Sequence, residues 1–84
     1  MTELTLIGKP GCHLCEDARS VVATVLAEFD PASVSLTELS ILDDPALLEQ
    51  YVDEIPVLLI DGRVHNIWRV DPVRLRAALE EVAR

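Results

Sequence analysis

Eighty-four residues, half of them hydrophobic and five of them proline, suffice for one compact domain spanning 1–84 and are too few for two. Seven Lys and Arg against fifteen Asp and Glu leave a net charge of −8, which repels nucleic-acid phosphates and anionic membrane surfaces and excludes both as expected partners. The imbalance is uneven: residues 1–62 carry two basic and twelve acidic side chains, whereas residues 63–84 carry five Arg and three acids, a locally basic stretch most simply read as a solvated helix face.

Met1–Lys9 has no basic leading region, and its apolar stretch runs only from Leu4 to Ile7. Neither a signal peptide nor a membrane anchor is predicted. The expected location is the cytoplasm, where cysteines are normally reduced. Two of them at close spacing then point to metal or redox chemistry rather than to a structural disulfide.

Leu4–Ile7 reads as a short strand, and Gly8, Pro10 and Gly11 force a loop after it. Leu14, Ala18, Val21, Val22, Val25, Leu26 and Phe29 recur at three and four residues, predicting a helix from the cysteine pair to Asp30–Pro31. Ser33–Leu39 alternates Val34 and Leu36 against Ser33, Ser35 and Thr37, the pattern of a half-exposed strand. Asp44–Pro45 supplies an N-cap and a first-turn proline for a short helix with Leu47, Leu48, Tyr51 and Val52 on one face.

Val57–Ile60 is wholly apolar, as a central strand covered on both faces should be. Asp61-Gly62 is a two-residue hairpin signal that returns Arg63–Trp68 antiparallel. Asp71 and Pro72 open a last helix whose buried stripe is Leu75, Ala78, Leu79 and Val82. The order is β-α-β-α-β-β-α. Its first two strands should be parallel with a right-handed crossover and its hairpin should add an antiparallel edge.

Cys12-His13-Leu14-Cys15 falls where the first strand has ended and the helix begins. The first thiol then meets the free N–H groups and positive dipole end of the helix, which stabilise a thiolate, with Lys9 and protonated His13 as further candidate contributors. Cys12 is therefore the expected nucleophile. Cys15, one turn inside and more buried, is the expected resolving thiol that converts a mixed disulfide into an internal one.

Lys9-Pro10-Gly11-Cys12-His13-Leu14-Cys15, Glu54-Ile55-Pro56-Val57 and Asp61-Gly62 together resemble the thioredoxin superfamily and, more narrowly, its small glutaredoxin-like members, over essentially the full length. The resemblance implies an α/β thioredoxin-like fold with a mixed four-stranded sheet flanked by helices. It implies that Pro56 is a cis-proline facing the cysteine pair and that the Ile55 backbone pairs with an extended substrate segment. It also implies a thiol–disulfide oxidoreductase whose partner is a protein disulfide substrate or a reductase. Lys9, His13, Ile55 and Pro56 are thus the candidate substrate-contacting residues beside Cys12 and Cys15.

Glutathione-using members carry a glycine pair and a polar residue after the hairpin, and ribonucleotide-reductase-associated members carry an aromatic–Ser–Gly–Phe stretch near the end. Val64-His65-Asn66-Ile67-Trp68-Arg69 matches neither, so neither electron donor is indicated. Lys9 and Arg69 remain candidate carboxylate partners for glutathione as a co-substrate. No resident cofactor is expected, and a monomer is.

Cys12, His13, Cys15 and His65 make a poor zinc set, because His13 adjoins Cys12 and is badly placed to share a metal with both thiols. Covalent haem needs His after the second cysteine, where Glu16 stands, and an iron–sulfur cluster needs four thiolates. His65 reads as a surface or edge residue, and Trp68 as a core anchor, with a place near the substrate groove as its alternative in this fold. Glu16 and Asp17 read as complements to the helix dipole. The alternative to an enzyme is a non-catalytic protein-binding module or redox sensor on the same fold.

Overall fold

The computed structural model describes Thr2–Val82, with β1 at Thr2–Gly8, α1 at His13–Leu26, β2 at Val34–Ser40, α2 at Pro45–Tyr51, β3 at Val57–Ile60, β4 at Arg63–Ile67 and α3 at Pro72–Val82. The four strands form one mixed sheet in the order β2-β1-β3-β4. β1 pairs parallel with β2, and β3 pairs antiparallel with both β1 and β4. This is the thioredoxin-like arrangement that the resemblance implies, with the apolar β3 in the interior of the sheet.

Side-chain alternation divides the core into two layers. Leu4 and Leu6 of β1 and Leu58 of β3 pack with Ala18, Val22 and Val25 of α1 and with Leu75 and Leu79 of α3. Ile7 and Val57 face the other way, where Leu47 and Tyr51 of α2 cover them. A fully buried Leu or Val stabilises the fold by about 1.5–3 kcal/mol, so α1 and α3, which bury several, hold the sheet more firmly than α2, which buries none completely. Arg76 of α3 adds a two-pronged ion pair to Glu28 beyond the end of α1, with N–O distances of 2.6–3.0 Å.

Capping follows the sequence signals. Asp44 Oδ1 accepts from Ala46 N–H at 2.9 Å, and Asp71 Oδ1 accepts from Val73 N–H at 2.9 Å, each just ahead of a proline that has no N–H to satisfy. The hairpin turn has φ of 49° at Asp61 and 83° at Gly62, the positive pair that matches the twist of its strands. Asp61 also exchanges two 2.8 Å bonds with the Glu3 backbone, tying the turn to β1.

Several expectations are corrected. α1 stops at Leu26 because the Glu28 and Phe29 N–H groups bond three residues back, to Val25 and Leu26, and tighten the chain out of the α-helix. Leu48 and Val52 of the α2 region and Val82 of α3 are exposed; each lies beyond the narrow stripe that the sheet can cover. β4 ends at Ile67, and a bulge between Leu58 and Leu59 leaves His65 without a partner across the strand pair. Trp68 then takes φ of 66° and is 54% exposed, so it is not a core anchor.

β1 ends on Gly8, where an added Cβ would lie 2.8 Å from Cys15 Sγ and 3.1 Å from its Cβ. Glycine is required because α1 brings Cys15 directly against the strand. Gly8→Ala is therefore expected to cost about 1–3 kcal/mol through overpacking, read as a lower urea midpoint. An unchanged midpoint would contradict this close seating.

Candidate active site

The β1–α1 loop, with φ of 72° at Gly11, delivers Cys12 to the N-cap of α1. Cys12 has extended backbone geometry, and its Sγ accepts from Cys15 N–H at 3.4 Å. A sulfur here plays the part usually taken by Ser or Asp oxygen, receiving an N–H that the helix itself leaves unpaired. Cys15, one turn on, is 4% exposed, and both thiols are free.

This difference in setting separates the two thiols in acidity. The Cys12 pKa is lowered, chiefly by a hydrogen bond from the Cys15 thiol; the Cys15 and Leu14 N–H groups and the Lys9 charge add to this, against some desolvation. The Cys15 pKa is raised, first by burial and then by its bond to Cys12 and the charge there; the Lys9 N–H and ammonium oppose the rise. The geometry favours an anionic Cys12 beside a protonated Cys15.

Of the other predicted residues, Lys9 lies closest in effect, acting on both sulfurs. His13 points away: its side chain is 98% exposed, with Nδ1 3.9 Å from Glu16. It is not among the groups that lower the Cys12 pKa. Glu16 occupies the first turn of α1, where a negative side chain complements the dipole.

Register places Pro56 at the same end of the sheet, because Ile7 pairs with Val57 and so sets Gly8 beside Pro56. The Ile55–Pro56 peptide is cis. Ile55 N–H already donates to Tyr51 O at 3.1 Å, which leaves its carbonyl, free of protein donors among the described residues, as the group open to an incoming strand. Sequence reasoning expected the backbone there to be available without this restriction.

Two features of the surroundings depend on tertiary structure. Trp68 N–H donates to Pro56 O at 2.8 Å and its indole N–H to Asp53 O at 3.0 Å, two bonds that hold a tryptophan in left-handed backbone geometry. With Leu14, Asp17, Val21 and Arg69 it lines a groove of about 220 Å³ along α1. Conversely, a cleft of about 440 Å³ reaches Cys15 between α1 and β2. Arg19 and Glu38 form an ion pair on its wall. The Cys15–Arg19 spacing of four residues is visible in the sequence as a shared helix face, but Glu38 and Trp68 join these surfaces only through tertiary structure.

His65 lies on the edge strand β4, half-buried, and burial together with Arg74 holds its pKa below the ordinary value. Among the described residues, no group of three or more His, Cys, Asp or Glu is arranged to hold a metal, and no helix is long and apolar enough to cross a membrane.

An uncharacterized protein of Mycobacterium tuberculosis is 32% identical over 77 residues, covering 89% of this chain and 79% of that protein. The X-ray structure of a structural-genomics target from X. campestris is 34% identical, with a TM-score of 0.73 over 93% of this chain and 96% of that one. Chloroplastic thioredoxin z shares the fold at 12% identity, with a TM-score of 0.79 over 98% of this chain and 78% of that one. The profile of the glutaredoxin-like domain (DUF836) matches residues 3–80, a span that takes in the capping Cys12, the seated Cys15 and the cis-proline alike, and the chain belongs to that glutaredoxin-like family.

Proposed function

We propose that the protein is a thiol–disulfide oxidoreductase that reduces disulfides of a protein partner, or passes electrons to or from one, with Cys12 as nucleophile and Cys15 as resolving thiol. The observation that carries this reading is the unequal seating of the pair: Cys12 Sγ caps α1 and accepts the Cys15 N–H, while Cys15 is buried against Gly8, a setting that lowers the first thiol pKa and raises the second. A structural pair has no need of that asymmetry, whereas exchange does.

In the first half-reaction the Cys12 thiolate attacks one sulfur of the substrate disulfide, forming a mixed disulfide and expelling the other sulfur as a thiolate. In the second, Cys15 gives up its proton and attacks Cys12 Sγ. The internal disulfide forms, the substrate's remaining sulfur leaves with the electron pair, and the dithiol has supplied two electrons. An external thiol or dithiol then restores the reduced pair.

Cis-Pro56 and the free Ile55 carbonyl form the wall against which an extended substrate segment lies. That carbonyl accepts from a substrate N–H. Lys9 lowers the charge cost at both sulfurs, and His13, turned to solvent, contacts only the rim of a docked partner. The net charge of −8 favours a partner with a basic face. The protein acts as a monomer in the cytoplasm without a resident cofactor. Glutathione, lacking the glycine pair that holds it in its users, is at most a weak co-substrate.

Turnover tests this directly. With a small disulfide and excess dithiothreitol, Cys12→Ser is expected to fall to the uncatalysed rate while melting normally; mixed with the disulfide in the absence of added thiol, Cys15→Ser is expected to stall with substrate bound to Cys12, seen by mass. Multiple turnover by Cys12→Ser would overturn the assignment, and a single stoichiometric change in binding without turnover would favour a sensor. Because the thiolate is the nucleophile, the initial attack rate should rise with pH through the Cys12 pKa and then level off. Lys9→Gln should move that rise to higher pH; an unmoved profile would remove Lys9 from the site.

A further inference from the structure

The second half-reaction requires the buried Cys15 to become an anion, and burial works against it. Arg19 stands four residues on along α1, so the two side chains share a helix face. Both line the cleft between α1 and β2. Glu38 of β2 accepts a charged hydrogen bond from Arg19 Nε, which holds the guanidinium on the cleft wall instead of leaving it free in solvent.

The charged groups that line the cleft with Cys15 come from four segments. Lys9 belongs to the β1–α1 loop, Glu16 and Arg19 to α1, Glu38 to β2 and Asp43 to the turn after β2; Cys12, outside the cleft lining, acts on Cys15 directly. Two cations thus oppose three carboxylates. Lys9 acts on both thiols. The charge on Cys15 is the least of the influences on Arg19, whose bearing on the sulfur rests on its place beside Cys15 on one helix face and in one cleft. Loss of the guanidinium would leave Glu38 unpaired and the surroundings of the buried sulfur more negative.

We propose that Arg19, clamped by Glu38 in the cleft that reaches Cys15, is a positioning residue that stabilises the Cys15 thiolate during resolution of the mixed disulfide. The inference rests on the exchange reading above. The Cys15 proton passes to water in the cleft and the thiolate forms its bond to Cys12 Sγ. The bond from Cys12 to the substrate sulfur breaks, and the departing thiolate takes the electron pair and then a proton. Arg19 touches neither substrate nor the sulfur undergoing attack.

Two measurements separate this proposal from the function on which it rests. In a Cys12→Ser background, Cys15 ionisation is followed by ultraviolet thiolate absorbance with Arg19, Arg19→Gln and Arg19→Lys. Arg19→Gln is expected to move the midpoint upward, leaving about threefold less thiolate at a given pH below it, and Arg19→Lys to restore most of the loss. A structural role alone would not be rescued by a charge lacking the planar fork. In the intact pair, Arg19→Gln should accumulate the Cys12 mixed disulfide while the rate of first attack stays unchanged. Equal Cys15 midpoints in the Arg and Gln forms would overturn the proposal, as would equal slowing of both steps. Absence of exchange in the wild type would instead overturn the oxidoreductase reading, with the titration still deciding whether Arg19 acts on Cys15.

Discussion

One helix N-terminus serves two sulfurs, and its free N–H groups can reach only one of them. Cys12 caps α1 from outside and receives the Cys15 N–H, whereas Cys15, one turn in, has its own sulfur pressed against Gly8 of β1. The close approach of α1 to β1 creates the second environment as it creates the first. Val22 and Val25 of α1, fully buried against Leu4 and Leu6 of β1, fix the helix axis and thereby how deeply Cys15 sits. Core packing and thiol chemistry are consequences of the same contact.

The remaining elements bring the cis Ile55–Pro56 peptide to that point. Antiparallel pairing of β1 with β3 sets Pro56 beside Gly8, and the chain leaving β4 bonds back to Pro56 through Trp68. Trp68 keeps a backbone conformation unfavourable for a bulky residue, sustained by one bond from its backbone and one from its indole. The site therefore has two flanks: a groove of mixed character with Leu14, Asp17, Trp68 and Arg69 on one side of α1, and a charged cleft with Lys9, Arg19 and Glu38 on the other.

The secondary-structure order and the identity of the thiol pair were legible because their signals are local. Cys12-His13-Leu14-Cys15 follows a glycine-rich loop, Asp44–Pro45 and Asp71–Pro72 mark helix starts, and Asp61-Gly62 marks the hairpin. Residues whose placement depends on distant partners were not. Trp68 reads as core by composition, yet the bulge at His65 and the bond to Asp53 turn it outward. His13 sits in the motif, yet its direction on the first turn of α1 carries it to Glu16 and solvent. Glu38 became part of the site only because β2 lies parallel beside β1, across the cleft from α1.

Differential alkylation of the reduced protein across pH, with each cysteine followed separately by mass spectrometry, tests the central claim most directly. The account predicts that Cys12 ionises below the ordinary thiol range and Cys15 above it. Coincident titrations, or Cys15 ionising first, would contradict it.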